Sequence, residues 1–210
     1  MIYSENLLLC IAVPLLIGVP FIHGGVRQFV LSFLTGMLVC LLSAYISGFF
    51  SLAFELGAKN TAVYVSPVVE EIMKLLPLLY YLFVFLPRDE ELVPMAVGVG
   101  VGFSTFENGC YLLAAGTEKM SFILIRGLAV GVMHIVSILF FAFGLVLVRR
   151  FRAMTFPAVV GALALSSTFH GLYNLLVSEP GITARIGYCL PLAAALMLYA
   201  LYRQMHMPTQ

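Results

Sequence analysis

Residues 63–86 read VYVSPVVEEIMKLLPLLYYLFVFL, an apolar stretch interrupted by three charged side chains, Glu70, Glu71 and Lys74. At a rise of about 1.5 Å per residue, a helix of this length crosses the hydrocarbon core of a bilayer, which is about 30 Å thick. An ionised side chain inside a membrane helix costs about 2.5 to 3.5 kcal/mol and marks a functional site by default. The stretch therefore predicts a membrane-spanning helix that carries a polar site.

The composition of the whole chain indicates a membrane protein. The 210 residues are 62% hydrophobic and 10% charged, which leaves too few charged side chains to cover a solvated surface. The formal net charge is +1, without the basic stripe that a nucleic-acid-binding protein needs. The four cysteines stand singly in apolar sequence, and we interpret them as small core residues. The composition excludes a water-soluble globule, disfavours nucleic acid as a partner and makes lipid the main environment.

Apolar stretches that could cross the membrane recur along the chain, with short connections between them. Because no compositional break or internal repeat divides the sequence, we expect one all-α domain over residues 1–210, a polytopic bundle of about seven transmembrane helices. The first stretch lacks the basic start and the cleavage site of a signal peptide, so we expect it to be retained. The predicted spans cover residues 6–22, 29–50, 63–86, 92–115, 122–148, 156–177 and 182–202.

Basic residues in the connections predict the orientation, because Lys and Arg are enriched in cytoplasmic loops. One side of the membrane collects Arg27, Arg88, Arg149, Arg150, Arg152 and Arg203, and the other collects Lys59, Lys119 and Arg185. We therefore place the N-terminus outside and the C-terminus in the cytoplasm. Arg126 lies just inside the fifth span, and we interpret it as an interfacial anchor that extends toward the membrane surface.

Further polar residues interrupt the later spans, and their depths agree. The polar residues inside the predicted spans are Glu70, Glu71, Lys74, Glu107, Asn108, His134, His170 and Asn174. At about 1.5 Å per residue, the glutamates and His170 lie about 10 to 12 Å below the outer ends of their helices, and His134 about 18 Å. Their shared level predicts one polar pocket in the outer half of the bilayer.

The residue types in this pocket suit hydrolysis. Two neighbouring carboxylates beside Lys74 can divide their roles, one acting as a base while the other stays protonated or paired. His170 and Asn174 are one helical turn apart and can point two donors at a developing oxyanion. His134 and Glu107 can orient the base, supply a proton or bind a metal. Since no local Ser–His or Cys–His pair and no HExxH motif occurs, a general-base hydrolase fits better than a covalent one.

Structural interpretations remain open for individual positions. The charged residues of the third span can form an ion pair alone, and Glu107 with Asn108 can join helices by hydrogen bonding. We interpret Tyr173 as a packing residue. The GxxxG patterns at Gly98 and Gly102 and at Gly127 and Gly131 predict a close crossing of the fourth and fifth spans.

Four short motifs resemble the signatures of the PrsW family of intramembrane proteases. Glu70-Glu71-Ile-Met-Lys74 resembles its EExxK motif, Phe103-Ser-Thr-Phe-Glu107-Asn108 its FxxxEN motif, and His170-Gly-Leu-Tyr-Asn174 its HGLYD/N motif. The stretch from Arg126 to His134 resembles the Arg-to-His helix of that family. The resemblance covers about residues 63–177 and is specific because the motifs occur in order on separate spans.

The resemblance implies a role for each matching residue. Glu70 would be the general base on water, with Glu71 and Lys74 in support, and His170 with Asn174 would form the oxyanion site. We expect Glu107 and His134 to be catalytic as well, and Phe103, Asn108 and Arg126 to support the site. It implies an endopeptidase of a bacterial cytoplasmic membrane that cuts a single-span substrate on the outer side, such as a membrane-bound anti-sigma factor, as a site-1 step. The family is also named as metalloproteases, so zinc held by Glu70, Glu107, His134 and His170 is an alternative that we disfavour slightly.

Other functions remain as alternatives. PrsW proteases are distantly similar to CAAX prenyl endopeptidases and bacteriocin-processing proteases. This chain differs from the CAAX pattern because it has Glu107 and Asn108 where that group has histidine, and Lys74 where that group has an arginine one residue later. Buried Glu and His also serve transporters and proton relays, although no inverted repeat is evident. A membrane scaffold with a structural polar core is the third alternative.

Overall fold

The computed structural model describes residues 3–115, 119–151, 153 and 155–206, and this part of the chain is all-helical. A 3-10 turn, Val19–Phe21, follows the first long helix, and a helical turn, Ala58–Asn60, and a π-helical turn, Thr61–Val65, precede the third. No strand occurs among the described residues, which confirms the predicted all-α class. The long helices are α1 (Ser4–Gly18), α2 (Gly24–Ala53), α3 (Ser66–Phe85), α4 (Asp89–Ala115), α5 (Met120–Arg150), α6 (Thr155–Ser178) and α7 (Ile182–His206).

Five of these helices are long and apolar enough to cross a membrane, which supports the predicted polytopic bundle. The spans are Ser4–Phe21, Gly24–Ala53, Met120–Val148, Thr155–Ser178 and Ile182–Ala200. Helices α3 and α4 are 20 and 27 residues long and coincide with two further predicted spans, but they are not among the five. Helix α3 is the one that carries Glu70, Glu71 and Lys74, whose charges lower its apolar character. The protein is an integral membrane protein, and the charged residues of the site lower the apolar character of α3 in particular.

The apolar core surrounds α3, α4 and α5. One buried cluster joins these three helices to α6 and includes Leu78, Val99 and Phe141, each fully buried. A second cluster joins α2 to α4 through residues such as Met37 and Phe106, with side chains of α1 packed against it. Packing of this kind holds the central helices in fixed rotation, so that their polar residues face one another rather than lipid.

Gly98 and Gly102 let α4 approach α2, whereas the close approach of α4 to α5 is at Gly100, where a Cβ atom would lie 3.2 Å from the carbonyl oxygen of His134. A Cβ atom on Gly98 would lie 2.8 Å from Ser32 Cβ, and one on Gly102 would overlap the carbonyl group of Phe33, both on α2. A Cβ atom on Gly127 or Gly131 of α5 would meet nothing within 4 Å. The prediction that these two GxxxG patterns pair α4 with α5 is therefore wrong, because a sequence pattern identifies a small-residue face but not the helix that covers it.

The start of α3 lies against α6. Pro67 stands in the first turn of α3, where a backbone N–H has no partner within the helix, so proline is tolerated there. In the π-helical turn before it, the carbonyl oxygen of Val63 would lie 3.3 Å from a Cβ atom on Gly171 of α6. This close approach brings the glutamates of α3 to the level of His170, one residue before Gly171.

Candidate active site

The site is built by four helices, with most of its polar side chains excluded from solvent. Glu71 and Lys74 on α3 and His134 on α5 are fully buried, and His170 on α6 is 2% exposed. Glu107 on α4 is partly buried and lies at the edge of the group. Burying several ionisable groups is costly unless they satisfy one another, so the contacts between them determine what the site can do.

Lys74 is the central cation of the group. Its ammonium donates to Glu71 Oε1 at 2.6 Å and to Ser137 Oγ at 3.1 Å, and lies 3.0 Å from His134 Nδ1. The aromatic ring of Phe103 covers the ammonium from one side, with 4.9 Å between Nζ and the ring centroid. All three ammonium hydrogens thus have partners, as a buried lysine requires.

His134 is held at both ring nitrogens. Because the ammonium of Lys74 can only donate, His134 Nδ1 accepts, and the proton of the neutral ring is on Nε2. His134 Nε2 lies 2.5 Å from Glu107 Oε2 and donates to that carboxylate. The ring of Phe103 packs against the imidazole at a centroid distance of 4.7 Å. These contacts assign one tautomer and one orientation to His134.

His170 is held at one nitrogen and faces Glu70 with the other. Its Nδ1 lies 2.8 Å from Glu71 Oε1, and since a carboxylate only accepts, Nδ1 carries the proton. His170 Nε2 is then an acceptor, and it lies 3.7 Å from Glu70 Oε2, beyond hydrogen-bond distance. Two acceptors that face each other across this gap need a donor or a cation between them.

Glu70 is the least satisfied group of the site. Its Oε2 atom is buried and has no hydrogen-bond partner among the described residues, although its side chain as a whole is 16% exposed. Ligand atoms of Glu70, His134 and His170, from three different helices, all lie within 4.8 Å of one another. The predicted convergence of these three residues is therefore present in the fold, with an unpaired carboxylate oxygen at its centre.

Arg126 turns toward the site and not toward the membrane surface. Its guanidinium stacks on the ring of Tyr111, with Cζ 3.7 Å from the ring centroid, and one terminal nitrogen is 3.7 Å from Glu107 Oε1. The side chain is 18% exposed. Our interpretation of Arg126 as an interfacial anchor is wrong, because an aromatic face and a carboxylate on α4 attract the guanidinium inward.

The side chain of Asn174 forms its hydrogen bond with the backbone outside the cluster. The amide of Asn174 donates to the carbonyl oxygen of Ala62 at 2.8 Å, which ties α6 to the π-helical turn before α3. Asn108 is partly buried and directly follows Glu107 on α4. The oxyanion role of Asn174 and the supporting role of Asn108 stay predictions.

Two serines of the site were missed by sequence reasoning. Ser137 accepts from Lys74, and its backbone carbonyl accepts from Ser166 Oγ of α6 at 2.8 Å. Both serines are fully buried. Ser137 lies three residues after His134, on the same helix face, and that spacing could have identified it. Ser166 precedes His170 by one turn in the same way.

The comparison with protein families identifies the family of the chain. Residues 25–202 match the model of the PrsW family, described as intramembrane metalloproteases. The chain belongs to the PrsW family of intramembrane proteases. The match extends beyond the expected stretch of residues 63–177 and takes in α2 and most of α7. No curated protein and no solved structure matches the chain.

The donor set of the site also fits a metal ion of the kind that the family description implies. Two histidines and one glutamate are the ligands of many catalytic zinc sites, and Glu70, His134 and His170 supply them within 4.8 Å. Glu71 holds His170 Nδ1 at 2.8 Å, as a carboxylate behind a metal-bound histidine commonly does. His134 Nε2, by contrast, already has a partner in Glu107. His134 Nδ1 in turn lies 3.0 Å from the ammonium of Lys74, so the set fits zinc on condition that Lys74 or Glu107 moves away from His134.

Proposed function

We propose that this PrsW-family protease hydrolyses a peptide bond of a membrane-anchored protein with a water molecule activated by Glu70. The observation that carries the proposal is the gap between Glu70 Oε2 and His170 Nε2, two buried acceptors 3.7 Å apart. One water molecule can donate a hydrogen to each acceptor, which leaves a lone pair of its oxygen available for attack. Glu71 supports this arrangement because it fixes the tautomer of His170.

The reaction then balances with Glu70 as the proton carrier. The water oxygen forms a bond to the carbonyl carbon as its proton passes to the Glu70 carboxylate. When the tetrahedral intermediate collapses, the C–N bond breaks and the same proton passes to the leaving amine. His134, held between Lys74 and Glu107, fixes the position of the Glu107 carboxylate by a hydrogen bond. In this arrangement His170 Nε2 accepts from the water and Nδ1 donates to Glu71, so the oxyanion role that the sequence predicted for His170 with Asn174 stays a separate prediction that requires a proton on Nε2.

A metal-assisted form of the same reaction is the second candidate, favoured by the Glu70, His134 and His170 donor set. Zinc in such a site would polarise the carbonyl group or lower the pKa of water. Glu70 and His170 would hold the ion, and Glu71 would still orient His170 through its Nδ1 proton. The two forms differ in their response to chelation, and the same assay separates them.

We further propose that cleavage occurs in the outer half of the membrane. Along the helix axes, Glu107 lies about 12 Å from the end of α4 at Ala115, and His170 about 12 Å from the end of α6 at Ser178. Glu70 lies about 6 Å from the start of α3, at the same side of the bundle. With the loop arginines in the cytoplasm, this side faces outward, which suits a single-span substrate of the anti-sigma-factor type in a bacterial cytoplasmic membrane.

The test is co-expression with tagged single-span membrane proteins, followed by detection of fragments. We expect Glu70→Gln to abolish cleavage while the thermal stability of the purified protein is kept, because Oε2 has no partner to lose. Glu179→Gln is the matched control, since Glu179 is 44% exposed and its ion pair with Lys59 lies at the surface. Full cleavage by Glu70→Gln would refute the assignment of the base, and a proton relay would yield no fragments with any partner.

Chelation and metal analysis decide between the two forms of the mechanism. The water mechanism predicts that cleavage by purified protein survives a strong chelator. Loss of cleavage that zinc restores, together with about one zinc per chain that disappears in His170→Ala, would establish the metal-assisted form instead.

A further inference from the structure

A second set of unsatisfied polar groups lies beside the cluster. The side chain of Tyr173 is 1% exposed and packs against Val130 and Met133 of α5, next to Tyr188 of α7. Its hydroxyl has no hydrogen-bond partner among the described residues. A phenylalanine would fill the same space without burying an unpaired hydroxyl, so the polar atom has no evident structural use.

Arg126 presents a second unpaired donor nearby. Its Nε atom is buried and without a partner in the described part of the chain, while the rest of the guanidinium contacts Tyr111 and Glu107. Arg126 lies one helical turn before Val130 on α5, and Val130 packs against Tyr173 of α6. Two donors, one from α5 and one from α6, therefore lie on the Glu107 side of the cluster. Neither has a hydrogen-bond acceptor among the described residues.

We propose that Arg126 and Tyr173 form a subsite that binds main-chain carbonyl oxygens of the substrate next to the bond that is cut. The inference rests on the proposed function and names the part of the substrate that these two buried donors recognise. A transmembrane helix must unwind before its peptide bond is accessible, and unwinding frees carbonyl groups that lipid cannot satisfy. The Nε–H of Arg126 and the O–H of Tyr173 supply the missing donors.

The charge of the site favours a carbonyl oxygen over a carboxylate. Glu70, Glu71 and Glu107 together outnumber the two cations, Lys74 and Arg126, and Glu107 Oε1 is already 3.7 Å from the guanidinium. An acidic side chain would meet this excess of negative charge. A neutral carbonyl group accepts the same hydrogen bonds without that repulsion.

The first test needs no substrate and compares Tyr173→Phe with the native protein in thermal unfolding. Since the hydroxyl has no partner, we expect the Tm of Tyr173→Phe to be unchanged or higher. Tyr45→Phe is the matched control, because Tyr45 is 53% exposed on α2. A clear fall in the Tm of Tyr173→Phe alone would show that the hydroxyl is satisfied within the folded protein, and would overturn the subsite.

The second test measures binding of a fluorescent synthetic peptide, a single apolar span with a Gly/Ser segment in its outer third. Glu70→Gln serves as the background, so that binding is read without cleavage. We expect the affinity to fall about tenfold on adding Tyr173→Phe or Arg126→Lys, and to be unaffected by Tyr45→Phe. Equal affinity in all backgrounds, or no binding to the Glu70→Gln protein, would overturn the subsite.

The two proposals fail separately in this design. A peptide that binds through Tyr173 but is never cleaved by the native protein would refute the proposed reaction and leave the subsite standing. A peptide that is cleaved by the native protein but binds equally well after Tyr173→Phe would refute the subsite alone.

Discussion

Replacing Lys74 by methionine tests whether the buried cation holds the site together. Methionine keeps the unbranched stem of the lysine, so packing against Phe103 is retained while the charge is lost. The change removes the donor to Glu71 Oε1 at 2.6 Å and to Ser137 Oγ at 3.1 Å, and the contact with His134 Nδ1 at 3.0 Å. It leaves Glu71, which is 0% exposed, with His170 as its remaining partner.

The expected loss of stability is large. Removing one partner of a buried ion pair costs about 3 to 5 kcal/mol, because the other charge stays buried without compensation. Natural domains are stable by about 5 to 15 kcal/mol, so Lys74→Met removes at least about a fifth of the total stability. For a chain of this size the loss corresponds to a fall in Tm of roughly 10 °C.

Lys59 provides the matched control. Its ammonium lies 2.5 Å from Glu179 Oε1, almost the same separation as in the Lys74–Glu71 pair, but the two side chains are 58% and 44% exposed. Exposed pairs contribute about 0 to 1 kcal/mol, so Lys59→Met is expected to change stability little. The two substitutions therefore differ in burial and not in the length of the ion pair.

Thermal or denaturant unfolding of both variants in the same detergent measures the difference. The double variant Glu71→Gln/Lys74→Met removes both charges and is expected to regain part of the stability lost by Lys74→Met. If Lys74→Met is as stable as Lys59→Met, the ion pair with Glu71 does not stabilise the fold and our account of the site is refuted.

Two further predictions concern packing and catalysis. Gly102→Ala is expected to destabilise the protein by about 1 to 3 kcal/mol, because its Cβ would overlap the carbonyl group of Phe33. The Cβ of Gly127→Ala meets nothing within 4 Å, so this variant is expected to stabilise α5 by up to about 1 kcal/mol. Unfolding measurements on both variants check this, and equal effects would contradict the close α2–α4 crossing. His170→Gln retains an amide donor for Glu71 but changes the acceptor that faces Glu70, so cleavage is expected to slow by about 10² to 10⁴. Initial rates of fragment formation measure this loss, and a rate within a few fold of the native one would show that His170 does not position the water.

The class of the protein and the members of the site could be read from the sequence because both depend on local properties. Hydropathy sets which segments prefer lipid, and the constant rise of a helix sets the depth of each residue along its axis. These two facts were enough to predict the bundle and the convergence of Glu70, His134 and His170. The family motifs then identified the PrsW family of intramembrane proteases, which the match over residues 25–202 confirms.

The partners of each side chain were decided only by the tertiary structure. The rotation of a helix about its axis depends on the side chains of all the helices packed around it. The depth of each residue therefore did not show that the ammonium of Lys74 contacts both His134 and Glu71, or that it also donates to Ser137. For the same reason Arg126 was expected at the membrane surface but stacks on Tyr111. The amide of Asn174 likewise points to the backbone of Ala62, across a helix contact that no spacing within α6 could reveal.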